Sequence, residues 1–208
     1  MAMAKRVRRS ASAARTVVLD AAERRLREHG LGGLAIADVA ADAGMSHATL
    51  LHHFGSSDGM RAALVERMAT NLLGEITELM RRDDVDRHGD AFYVHLFAAL
   101  SSGGHAKLIG WQSLTSTSAP AMGPDTRALF RQVLDGLRVR LMSNGRSAAD
   151  AEREARFVVL LVVSSALGFG IGRKPLLDDV GLTGTTEPEF ARWLSRVVAG
   201  VIRREGPV

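Results

Sequence analysis

Between Thr16 and Gly59 the chain starts and stops a helix three times, and none of the three is long enough to hold a core by itself. In Thr16–His29 the apolar or small residues Val18, Ala21, Ala22 and Leu26 follow a helical stripe interrupted only by Arg25, and His29 with Gly30 are stop signals. Residues 35–42 predict a second, short helix with Ile36, Val39 and Ala40 inward. In Ala43-Gly44-Met45 a small residue, a residue free to go left-handed and an apolar plug make a tight turn. Ser46 is placed to cap a third helix running to about His53, with Leu50 and Phe54 toward the core; Gly55 breaks it, and Ser56 or Ser57 caps the next. This is the outline of a helix-turn-helix with a supporting first helix. Such a unit suits one chemistry well: a two-turn helix enters the major groove while the preceding helix crosses the backbone.

The rest of the chain predicts helices only. Met60, Leu64, Met68, Leu72, Ile76 and Leu79 keep the three-to-four spacing for about six turns of a long connecting helix. Further helical patterns cover Ala91–Leu100, Lys107–Leu114 and Thr126–Met142, the last ended by Asn144 and Gly145. Ser147 opens a helix that is polar early and apolar nearly all round later. Gly and Pro signals over residues 172–184 separate it from a final helix, opened by the capping-box pair Thr186 and Glu189 with Pro188 in the first turn. No stretch alternates as a strand would, and no segment repeats, so the expected class is all-α.

Composition excludes several functions. Without cysteine there is no disulfide framework, thiolate metal site or cysteine nucleophile. No His-x-x-x-His pair, phosphate loop or serine-base motif points to an enzyme. The basic start lacks the apolar core of a secretory signal, and the apolar run Phe157–Gly172, broken by serines and glycines, falls short of a bilayer span. A buried helix and a cytoplasmic protein with no membrane partner are expected.

Charge is unevenly distributed. Lys5, Arg6, Arg8, Arg9 and Arg15 put five positive charges in the first fifteen residues, whereas residues 16–60 hold three arginines against six acids. A basic arm of this kind lies along phosphates or in a minor groove; its bland alternative is a solubilising tail. Three histidines, His47, His52 and His53, lie on the third helix. Their separations of five residues and one do not place them on a single helical face, so a metal site is not expected, nor is a cofactor.

The run LDAAERRLREHGLGGLAIADVAADAGMSHATLLHHFGSSDGM resembles the DNA-binding segment of the TetR family of transcriptional repressors. The matching features are the Leu-x-Ala-Ala start, Gly30, the Asp38-Val39-Ala40 triplet, the Ala43-Gly44-Met45 turn, then Ser46, Thr49, Leu50, Phe54 and Ser56. The resemblance implies a basic arm over residues 1–15, a helix-turn-helix domain over 16–57 and an effector-binding and dimerisation domain over 58–208. It implies DNA-facing roles for Ser46, His47, Ala48, Thr49, His52, His53 and Ser57. Where the family commonly has serine or threonine, arginine, tyrosine and lysine to hold phosphates, this chain has Ala35, Ala37, Leu51 and Ser57. The arm, with Arg6, Arg8, Arg9 and Arg15, is expected to supply part of the missing phosphate affinity.

An enclosed space between packed helices would hold a small-molecule effector. Its candidate lining is Met68, Leu72, Phe92, Tyr93, Leu96, Phe97, Trp111, Gln112 and Met122, though each also reads as plain core. His95 and His105 are secondary candidates for orienting a polar group. The last two helices are more apolar than a monomer requires, and pairing with their symmetry mates would make a four-helix homodimer interface. The expected function is an effector-released repressor that binds a pseudo-palindromic operator as a dimer, its reading helices on successive major-groove turns. The alternatives are a helical ligand-binding protein or small enzyme with a degenerate DNA-binding unit, and a non-specific architectural DNA binder.

Overall fold

The computed structural model describes residues 11–81, 89–101, 104–115 and 123–203; Arg6, Arg8, Arg9 and Met122 lie outside them. The fold is all-α, with no strand among the described residues, and divides into two compact units, Met1–Val65 and Glu66–Val208.

In the first unit α1 spans Ala11–His29, a 3-10 turn Gly30–Leu34, α2 Ile36–Asp42 and α3 His47–Phe54. Helix α1 begins before the predicted stripe because Ala11-Ser12-Ala13-Ala14 carries no large apolar residue to announce it, yet Ala14 is buried and extends the stripe by a turn. Val18, Leu26, Leu34, Val39 and Leu50 are fully or almost fully buried, as are Met60 and Leu64 at the start of α4 (Ser57–Arg81). The exception in the α1 stripe also has a role. Arg25 donates through Nε to the Gly33 carbonyl at 2.8 Å and reaches Asp38 at 3.0 Å and Asp42 at 3.3 Å. One partly buried guanidinium thus fixes the 3-10 turn and both outward carboxylates of α2, which stand one turn apart.

In the second unit α4 continues, followed by α5 (Gly89–Ser101), α6 (His105–Thr115), α7 (Pro124–Ser143), α8 (Ala148–Asp179) and α9 (Glu187–Arg203). Helix α8 is the axis of the packing, touching α5, α6 and α7, while α9 lies on α5. The core runs from Leu73 and Ile76 through Leu96, Phe97, Val133 and Leu141 to Val162, Phe169, Leu194 and Val198. Phe97, Phe169 and Phe190 meet with ring centroids 5.3–5.5 Å apart, within the range where aromatic pairs gain beyond simple burial. At Gly170 a Cβ would stand 2.5 Å from the Ala106 methyl and 2.6 Å from the Ser101 carbonyl, so only glycine allows α8 to come this close to its neighbours. The buried Arg146, between α7 and α8, bonds Glu154 at 2.9 Å and the Val201 carbonyl at 3.1 Å, tying that turn to α9.

Two expectations about α8 need correction. The Gly and Pro signals do not end the helix at residue 172: it kinks at Gly172 (φ −121°, ψ 21°) and resumes to Asp179. Pro175 is tolerated because it falls in the first turn after the kink, where its missing N–H would have had no regular helical acceptor. Nor is the helix buried. Its most apolar stretch is only 28% buried, with Phe157 60%, Leu160 61% and Ile171 51% exposed. Only one side of α8 meets α5, α6 and α7, leaving an opposite side that is apolar and bare in the single chain. By length and composition alone α8 would also pass as a membrane-crossing helix.

Tyr93 on α5 packs against this core, and burial pushes its phenol up to about 12 from the ordinary 10.0. A raised folded-state value means stability that is complete below pH 10 and is lost as pH climbs toward 12. At pH 11.5 the unfolded chain should gain about 2 kcal/mol by releasing this proton. Urea denaturation at pH 8 and 11.5 should therefore show a loss larger by about that amount in wild type than in Tyr93→Phe.

Candidate nucleic-acid interface

Helix α3 is held from both ends. At its start Gly44 adopts φ +65°, and the Met45 amide returns to the Ala40 carbonyl at 2.9 Å, so the chain reverses within three residues. Ser46 is the N-cap: its Oγ accepts from the Thr49 amide at 3.1 Å and lies 2.8 Å from Thr49 Oγ1. At its far end Arg15, on α1, donates to the His53 carbonyl and stacks its guanidinium 4.2 Å from the centre of the Phe54 ring. Arg15 was expected to help the arm hold phosphate, but it is engaged in docking α3 onto α1. Sequence spacing could not show a contact 38 residues long.

Leu50 and Phe54 anchor the inner face of α3. On the opposite side Ala48 and His52 stand one turn apart and exposed; His47 is exposed at the first turn, and Thr49 and His53 are half-buried. The His52 and His53 rings meet edge to face with centroids 5.6 Å apart. Ser46 is exposed but already caps the helix, and its neighbour Thr49 shares that bond, so His47, Ala48 and His52 form the free outward surface. Ser56 Oγ caps α4 by accepting from the Gly59 amide at 2.9 Å, which leaves the half-buried Ser57 in the first turn. Among the described residues no cluster of three or more histidine or carboxylate side chains could hold a metal ion.

The interface carries little fixed positive charge of its own. Arg24 and Arg25 pair with α2 carboxylates, Arg27 with Glu23 at 2.9 Å, and Arg61 with Asp58 at 2.9 Å. Groups that reach bases are therefore present on α3, whereas cations free for phosphate are scarce along α1 and the start of α4. A capped two-turn helix with its outer face bare is a geometry that can enter a major groove.

Residues 18–64 match the family model for bacterial regulatory proteins of the tetR family. That segment, α1 to the start of α4, is similar to the DNA-binding part of TetR-family regulators. No curated protein matches the chain's sequence. Similar solved structures span nearly the whole chain. A transcriptional regulator from Rhodococcus sp. Rha1 is 21% identical at a TM-score of 0.62, covering 90% of this chain and 95% of its own. SmeT, repressor of the Stenotrophomonas maltophilia multidrug efflux pump SmeDEF, is 24% identical at 0.54, covering 95% and 99%. FadR of Thermus thermophilus, a TetR-family repressor in complex with lauroyl-CoA, is 20% identical at 0.52, covering 93% and 98%. The chain thus has a TetR-like fold along its length, with the helix-turn-helix segment matched by the family model.

Four of the candidate effector residues belong to or pack against one core. Leu96 and Phe97 are buried core residues, and Leu72 and Tyr93 pack against the same core. Gln112 is buried on α6, and Trp111 and Met68 are half-buried. Phe92 lies on α5. Of the secondary candidates, His95 pairs with Glu75 at 2.8 Å on the surface, and His105 bonds the Ala99 carbonyl at 2.9 Å. An open depression lies beside Pro124, Arg127, Phe130 and Arg131 on α7, with a volume of about 360 Å³.

Proposed function

We propose that the protein is an effector-responsive repressor that binds a pseudo-palindromic operator as a homodimer. The observation that carries this reading is the outer face of α3, where His47, Ala48 and His52 stand clear of a helix fixed at both ends. Dimerisation is supported by the bare apolar side of α8, continued on α9 by Trp193, 51% exposed, and Val197. A helical partner surface of the same kind would cover both, and a second copy supplies it by symmetry. In this reading the apolar face of α8 meets protein in the cytoplasm, not lipid. Repression is supported by similarity to the repressor SmeT, and effector control by similarity to FadR in complex with lauroyl-CoA. Residues 58–208 would carry it, and an effector favouring one position of α4 would weaken operator binding. No part of this reading calls for catalysis or a cofactor.

A second reading has an observation of its own. Ala35, Ala37, Leu51 and Ser57 cannot hold phosphate as charged or longer hydroxylic residues do, which favours a unit that has lost its grip on DNA. Duplexes enriched from a random library, titrated by fluorescence anisotropy across salt against a scrambled duplex, separate the two. A specific reader keeps its preference at every salt concentration with two chains, or a multiple, per site. Equal, weak binding to both duplexes would leave a helical ligand-binding protein as the better description.

A further inference from the structure

We propose that the depression on α7 is a binding site for a small aromatic oxyanion, a flat apolar body bearing one carboxylate or phosphate. Arg127 and Arg131 stand one helical turn apart, both exposed, and flank Phe130, whose inner edge packs against the core. Neither guanidinium makes an ion pair or a hydrogen bond among the described residues. Elsewhere on the second unit arginines commonly have a carboxylate one turn away: Arg138 with Asp135, Arg153 with Asp150, Arg156 with Glu152. Asp135 stands one turn beyond Arg131 but is turned to Arg138 at 3.6 Å, so the chain's own acid leaves the α7 pair unsatisfied.

Two guanidiniums at this spacing present two planar forks to one oxyanion. Phe130 and Pro124 offer ring faces to the rest of the ligand, and about 360 Å³ is at the small-ligand end of the usual pocket range. An ion without an apolar body would leave those rings wet, and a neutral aromatic would leave the arginines unused. The first turn of α7 is also tied to α4. Glu66 accepts from the Gly123 amide at 2.9 Å and from the Thr126 hydroxyl, while Thr70 and Thr126 hydroxyls lie 2.6 Å apart. An anion seated beside this turn lies next to the contact that holds α4. For this reason the site also names the effector class of the regulator proposed above, and that second step rests on the proposed function.

The test begins with the full chain free of DNA, titrated calorimetrically with 2-naphthoate, 2-naphthyl phosphate, 2-naphthamide and acetate. Saturable binding of one or both naphthyl anions is expected, at least about tenfold tighter than the amide or acetate, as expected for hydrogen bonds to a charged group. Naphthoate alone or the phosphate alone would identify the oxyanion. The double variant Arg127→Met, Arg131→Met should lose about tenfold or more in anion affinity while keeping its thermal transition, because both side chains are exposed. Equal affinity for anion and amide, no saturable binding, or wild-type affinity in the folded double variant would overturn the site. The same anions are then added to the operator complex. Release in wild type but not in the double variant supports the effector role; binding to free protein without release keeps the site and overturns that role.

Discussion

Replacing Phe157 and Leu160 together by glutamate should convert the protein to a monomer by sedimentation and lower operator affinity by roughly 10²- to 10⁴-fold, the usual gain from linking two binding events. Both residues are about three-fifths exposed in the single chain, so the glutamates meet water in the monomer and leave its fold alone. In a dimer built on α8 they would be buried without partners, which is strongly destabilising. The thermal transition of the isolated variant and its helical signal should stay near those of the wild type. A variant that remains dimeric would show that this side of α8 is not the interface. A monomer with undiminished operator affinity would show that the two copies do not read the two halves of one site.

The local grammar of the chain was legible and its long contacts were not. Ser46, Ser147 and the Thr186–Glu189 pair all cap helices as their spacing predicts, with Ser147 Oγ accepting from the Asp150 amide at 3.2 Å. These signals act within four residues, the range over which a side chain reaches its own backbone. The start of α1 escaped because alanine and serine favour or tolerate a helix without marking its inner face. Gly172 and Pro175 looked like a stop because periodicity cannot show that a kinked helix resumes. The α8 stretch looked buried because hydropathy does not say whether the second apolar side is covered by the same chain or another. At the site, the turn and the outward residues of α3 could be read directly. The Arg15 clamp could not, since it depends on how α1 crosses α3, and Arg25 was visible only as an unexplained charge in an apolar stripe.

That clamp decides how the basic arm must be tested. Removing residues 1–10 takes away Lys5, Arg6, Arg8 and Arg9 while sparing the described α1, with Arg15 and its hold on α3. Each phosphate neutralised by a cation contributes about 0.9 to the salt slope of DNA binding. If all four cations lie on phosphate, the truncated protein should lose about three to four from that slope and roughly 10²- to 10³-fold in affinity near 0.1 M salt. Its preference for operator over scrambled DNA should survive, because His47 and His52 remain exposed on α3. Adding Ser57→Lys to the truncated chain should return about one unit of slope, since this position opens α4 where the resemblance places a phosphate contact. An unchanged slope on truncation would mean that the arm only solubilises the protein. The phosphate affinity would then have to come from the helices themselves, where Arg24, Arg25, Arg27 and Arg61 are already paired and polar amides and hydroxyls are left to supply it.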